Sequence, residues 1–320
     1  MIKKIAILII LFIIPLLLVG QEPEEVQPDH KIGQRYEPVY SQYWVNGLAI
    51  NPAYAGSREC FSNIILYRNQ WMGFPGAPET QTLSSHLPFK DEKNAVGLFL
   101  FHEKIGVTDY YDIYGNYAFR FNLGSGKLSL GLKAGITLFQ GNYSDLTTDP
   151  EGMFISDDAL QNESDVLPNF GVGAYYYSDR FYLGFSVPKL LSYELINSEK
   201  QMSIGPDNYD FLVTGGVLIG ESESLKFKPS FLFRYRFDNS YQIDIGGNFI
   251  LYDHLWLGGS YRYNDEIVFM VEYQMSDQMR AGVAYDIAIG DFASQHSGSL
   301  EIILRYDFRY KIRAVSPRYF

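Results

Sequence analysis

The chain has 320 residues, a formal net charge of −11 and 16% aromatic residues, with 26 Tyr and 23 Phe against only 3 Trp. So many rings exclude a disordered chain, and the acidic balance argues against a nucleic-acid partner. A mean hydropathy of −0.11 leaves no room for several apolar 20-residue spans, so a multispanning helical membrane protein is excluded as well.

The first element is an export signal. Lys3 and Lys4 precede a nearly all-aliphatic run, Ile5–Val19, which ends at Gly20–Gln21 before the polar Glu22, Pro23, Glu24 and Glu25. This is the order of a cleavable secretory signal, with cleavage expected near Gly20 and Gln21 as the new first residue. Removing a segment with two lysines and no acid makes the chain still more acidic. The lone Cys60 cannot form an internal disulfide. An exported chain without disulfides must take its stability from a large sheet.

Residues 21–58 are rich in Pro, Gly and acids and show no period. Within them, Tyr43, Trp44, Val45, Leu48, Ile50 and Tyr54 concentrate apolar surface that must be buried, in a barrel mouth or in a partner. From Phe61 onward, segments alternate apolar and polar residues and are separated by turn residues, the period of strands. In one of them Leu128, Leu130, Leu132, Ala134, Ile136 and Leu138 oppose Ser129, Gly131, Lys133, Gly135 and Thr137. We count fourteen segments, starting near Phe61, Glu79, Ala95, Thr108, Lys127, Leu167, Phe181, Asn208, Leu225, Tyr241, His254, Glu266, Gln278 and Ser299. Fourteen is even, as bacterial outer-membrane barrels require, and the lengths suit tilted membrane strands of about 9–11 residues. The three long connections, Gly141–Val166, Lys189–Asp207 and Ile287–Gly298, all follow odd-numbered segments, which puts them at one end.

One face is strongly aromatic, with Tyr111, Ile113, Tyr117, Phe119 and Phe121 on a single strand. Facing water it would be an aggregation liability, whereas facing lipid it is in place. The opposite face carries Asp112, Arg120, Arg234, Arg236, Asp244, Glu272, Glu301, Arg305 and Asp307. Mixed signs point to internal ion pairs more than to a selective channel. The expected fold is therefore all-β: a transmembrane antiparallel up-and-down β-barrel of about fourteen strands behind an N-terminal signal peptide. The expected divisions are 1–20 signal peptide, 21–58 periplasmic or plug segment, 59–310 outer-membrane barrel and 311–320 periplasmic tail. No His pairs at metal-ligand spacing, and no phosphate loop or G-x-S-x-G elbow is present. His102–Glu103 reads as a solvated loop edge. No enzyme activity, cofactor or metal is expected.

The stretch before and across the first hairpin is specific: Gln42, Tyr43 and Trp44; Asn51, Pro52, Ala53, Tyr54 and Gly56; Tyr67, Arg68, Gln70, Trp71 and Gly73; then Pro78 and Gln81. With the ending Ser316-Pro317-Arg318-Tyr319-Phe320, it resembles the PorP/SprF family of outer-membrane proteins of the type IX secretion system, found in the Bacteroidetes. The resemblance implies a non-enzymatic outer-membrane subunit that works with periplasmic ring components. Some members serve the export or attachment of a large surface adhesin, including adhesins used in gliding. Read physically, Asn51-Pro52 and Gly56 predict a rigid turn, and Arg68 with Gln70 could grip a plug. The competing expectation is a passive channel or transporter for small solutes.

Overall fold

The computed structural model describes residues 40–145, 162–196, 199–222, 224–237, 240–289 and 291–308. The expected signal peptide with its cleavage site at Gly20–Gln21, the acidic lead up to residue 39 and the tail from 309 lie outside them.

The chain enters the described region through a helical turn, α1 (Gly47–Ile50), and a 3-10 turn, Pro52–Tyr54. Then follow β1 (Phe61–Asn69), β2 (Glu79–Pro88), β3 (Asn94–Ile105), β4 (Thr108–Leu123), β5 (Gly126–Gly141), β6 (Glu163–Tyr177) and β7 (Phe181–Val187). A hairpin, β8 (Ser192–Ile196) and β9 (Glu199–Ser203), interrupts the series. It resumes with β10 (Phe211–Val217), β11 (Leu225–Tyr235), β12 (Tyr241–Leu251), β13 (Leu255–Arg262), β14 (Glu266–Gln274), β15 (Met279–Ala288) and β16 (Ser299–Phe308).

All strands except β8 and β9 form one closed antiparallel barrel of fourteen strands, in which each pairs with the next in the series, β7 with β10 across the hairpin, and β1 closes on β16. Closure matters because a sheet in lipid can leave no backbone group unpaired. Alternation sorts the side chains. On β4, Ile113, Tyr117, Phe119 and Phe121 face out, while Asp112, Asn116 and Arg120 are buried inside. The same outer belt continues through Leu132, Phe170, Phe185, Ile245, Phe249 and Phe269. The short turns β2–β3, β4–β5, β6–β7, β10–β11, β12–β13 and β14–β15 lie at one end, and the three long connections lie at the other. In the β2–β3 turn, the amide of Asn94 and the N–H groups of Asn94 and Lys93 donate to Asp91, holding its carboxyl below the usual carboxylate range.

Four boundaries differ from the sequence reading. The sixth strand begins at Glu163, four residues before Leu167, and the strand expected at Asn208 begins at Phe211, after a 3-10 turn at Pro206–Asn208. The connection after β7 is not irregular, because it folds into the β8–β9 hairpin. There Tyr193 packs against Phe139 and Leu167, a burial too short in sequence to register as a period. Finally, β1 stops at Asn69, so Gln70 and Trp71 belong to the first loop.

Candidate functional site

Residues 40–58 fill the barrel lumen. Tyr40, Tyr43, Trp44, Val45, Ala49 and Ile50 form one apolar cluster with wall residues Ile64, Leu66, Phe99, Phe101, Leu212, Leu232, Met270 and Ile303. Leu48, Ala53 and Tyr54 form a second with Ala95, Ala118, Tyr175 and Tyr182. The apolar surface concentrated before β1 therefore lies inside the protein's own wall.

Polar contacts fix this plug at three levels. At the first, Ser41 donates its N–H to Glu301 Oε2 (2.8 Å) and its hydroxyl to Asp286 Oδ2 (2.6 Å), while Gln42 N donates to Glu301 Oε1 (2.9 Å). Arg68 Nη1 completes the group, 2.7 Å from both Ser41 Oγ and Asp286 Oδ2 and 3.6 Å from Glu301 Oε2. Nearby, Arg262 pairs with Asp244 (3.1 Å) and with Glu266. This level holds two arginines against four carboxylates, and the donors of Ser41 and Gln42 offset part of the excess.

At the middle level, Asn46 Nδ2 donates to Thr82 Oγ1 (3.3 Å), while the Trp44 side chain reaches toward the short-turn end, where its Nε1 donates to Glu272 Oε1 (3.2 Å). The turn Asn51-Pro52-Ala53-Tyr54 faces β5, β6 and β7. Asn51 is extended (φ −145°, ψ 114°), as a residue before proline should be, and its side chain accepts from Ala53 N at 2.9 Å. Its amide donates to the carbonyls of Ala174 (3.0 Å) and Phe185 (3.3 Å), on β6 and β7. Ser186 Oγ donates to Ile50 O at 2.6 Å.

The wall is cut to this turn. A Cβ on Gly131 of β5 would lie 2.2 Å from Ala53 N, and one on Gly173 of β6 would lie 2.1 Å from Asn51 Oδ1. Neither position can carry a side chain while the turn is seated.

At the third level, Gly56 (φ +74°) makes the bend the sequence called for. Its N–H donates to His86 Nδ1 (3.0 Å) and its carbonyl accepts from Arg120. Arg58 pairs with Asp307 at 3.0 Å, and Ser62 of β1 donates to the same carboxylate at 2.6 Å. Arg305 stands 3.5 Å from Asp307, and Arg280 stands 3.4 Å from Glu272. All the charged residues assigned to the inner face are buried there.

The structure thus divides the sequence motif. Gln42, Tyr43, Trp44, Asn51, Pro52, Ala53, Tyr54 and Gly56 are plug, and Arg68 is the wall residue that touches it. Gln70 does not share that role, since it lies beyond the strand, where its N–H donates to Pro78 O at 3.0 Å. Trp71 takes φ +50° in the same loop, and Gly73 (φ +88°) is exposed. Tyr67 and Gln81 are cross-strand partners at outward positions. Glu103 is not a solvated loop edge: it is buried and accepts from Thr80 Oγ1 at 2.9 Å, while His102 pairs with Asp109 at 2.9 Å. Sequence reasoning missed Ser41, His86, Asp286, Ser186 and the two notch glycines. The inward parity of the wall residues was readable, but not which of them the expected plug segment would meet, and Ser41 lies on no strand to carry a period.

No metal-binding group of three or more His, Cys, Asp or Glu occurs among the described residues. No curated protein matches the chain. Among solved structures it is similar to the outer-membrane protein Omp33 of Acinetobacter baumannii, with 7% identity over 78% of this chain and 100% of that one, at a TM-score of 0.46. It is similar to a FadL homologue of Pseudomonas aeruginosa (12% identity, 78% and 89% covered, TM-score 0.42) and to the CymD monoaromatic hydrocarbon channel (10%, 87% and 95%, 0.48). A family model described as type IX secretion system membrane protein PorP/SprF matches residues 32–306. With most of its length matched, this chain belongs to the PorP/SprF family of type IX secretion system membrane proteins.

Proposed function

We propose that the protein is a non-enzymatic outer-membrane barrel subunit of the type IX secretion machine, exported by a signal peptide cleaved near Gly20. It serves the export or surface attachment of a partner protein, such as a large adhesin of the kind used in gliding, and engages the periplasmic ring from its short-turn end. The observation that carries this reading is the occupied lumen. Three tiers of contacts hold residues 40–58 in the space a diffusing solute would need. A passive channel would leave that space open and bias its wall to one sign of charge, whereas here both signs are paired with each other and with the plug.

Two measurements test this. Co-purification with periplasmic ring components, together with failure of one surface protein to be exported in a deletion strain, supports the subunit reading. Steady single-channel conductance and rapid liposome swelling by the wild-type barrel, without such co-purification, would replace it with the channel reading.

A further inference from the structure

The plug does not enter and leave by the same mouth. Its first contacts fall at the long-connection end. Ser41 binds Asp286, two residues from the end of β15, and Glu301, two residues into β16. Arg68, which joins them, is one residue from the end of β1. Tyr40, one residue before Ser41, is buried in the apolar cluster. Its last contacts fall at the short-turn end. Gly56 binds His86, two residues from the end of β2, and Arg120, three from the end of β4. Arg58 binds Asp307, one residue from the end of β16. Between them, Asn46 meets mid-strand Thr82. Residues 40–58 therefore run the length of the lumen in one direction. Gln42, Asn46, Leu48 and Ala53 are each exposed to 1% or less, so the space beside the plug is filled.

From this we infer that the chain is threaded through its own barrel, so that the mature amino-terminal arm, residues 21–39, leaves at the long-connection face. The thread adds one crossing to an even number of strands, which sets the two ends of the mature chain on opposite faces. That differs from the sequence expectation of a periplasmic lead. The arm's composition suits such an exit, since Gln21–Val39 carries five acids, two bases and three prolines and has little apolar surface to bury. A subunit built this way offers a tether on one face and its carboxyl tail on the other, with the plug as the link.

The test compares sides and holds whichever side is outer. Epitope tags are placed after Glu25, within 146–161, and at Ser178 in the β6–β7 turn, each in the full-length protein. Antibody binding is read on intact and permeabilised cells, with retained heat-modifiable gel migration as the sign of a folded barrel. The arm tag is expected to follow the 146–161 tag. If it follows the Ser178 tag, the thread is overturned. If both the arm and 146–161 are hidden while Ser178 is exposed, the thread stands and the outer placement of the long connections is what fails. A second measurement covers an arm masked by a partner. In purified Cys60→Ser barrel, a cysteine at Val39 should be bridged by a short bis-maleimide to one at Asn69, beside the Arg68 that holds Ser41, at least tenfold more than to one at Ser125. A preference for Ser125 refutes the thread.

Discussion

Replacing Gly131 by valine isolates the seating of the Asn51–Tyr54 turn. The new Cβ would lie 2.2 Å from Ala53 N and 2.5 Å from both Ala53 Cα and Pro52 C, so something must move by more than an ångström. The wall cannot, because β5 is laddered along its whole length to β4 and β6. The turn must lift instead. Lifting breaks three hydrogen bonds, from Asn51 to Ala174 and Phe185 and from Ser186 to Ile50, each worth about 1 kcal/mol net. It also loosens Tyr54 from His86 and Tyr175, roughly another 2 kcal/mol of ring burial. At about 1.4 kcal/mol per tenfold, the seated-to-lifted ratio should fall on the order of 10³-fold. The assay is limited proteolysis of purified barrel, with cleavage within Tyr43–Tyr54 as the readout and planar-bilayer conductance alongside. Gly115→Val is the control, because that Cβ meets only Ala134 O at 3.9 Å on the outer face. If the Gly131 variant proves as resistant and as silent as the control, the wall is not shaped to the turn.

Arg68→Met should lower the barrel's thermal transition in detergent by an amount corresponding to about 3–5 kcal/mol, since Asp286 and Glu301 lose their buried cation; an unchanged transition contradicts the grip assigned to it. Trp44→Ala with Tyr54→Ala should speed proteolysis of the plug without unfolding the barrel. Wild-type plug cleaved as fast as an exposed loop would show that it is unseated in solution. Cysteines within 146–161 should react with an impermeant thiol reagent on intact cells and those at Ser178 or Ser276 should not; the reverse pattern inverts the barrel. Trimming 311–320, whose charges are all basic, should leave heat stability intact and weaken co-purification with ring components, whereas failure to assemble would make Phe320 an insertion signal.

The barrel was legible because membrane strands announce themselves twice, by side-chain period and by the parity of connection length. The alternation from Leu128 to Leu138 could be assigned to one face without knowing what filled the other. The plug was only half legible. Tyr43, Trp44 and Tyr54 declared that they needed burial, but a non-periodic segment carries no record of the wall it meets. The error at Gln70 has the same root: inward parity extends only as far as the ladder, and the ladder stops at Asn69. Gly131 and Gly173 read as ordinary strand glycines until the turn was placed against them.

The seam where β1 meets β16 pairs Phe61 with Phe308, nearly the whole barrel apart in sequence. Joining ends so distant costs about 5 kcal/mol in loop-closure entropy, more than any other strand pair here. The plug contributes at both extremes of that seam: Ser41 spans Arg68 and Glu301 at one end, and Arg58 shares Asp307 with Ser62 at the other. The plug thus gives the first and last strands a common partner as well as each other. A barrel whose plug cannot seat should therefore close slowly and accumulate as an open sheet with two unpaired edges, a kinetic defect visible during insertion even where the finished barrel is stable.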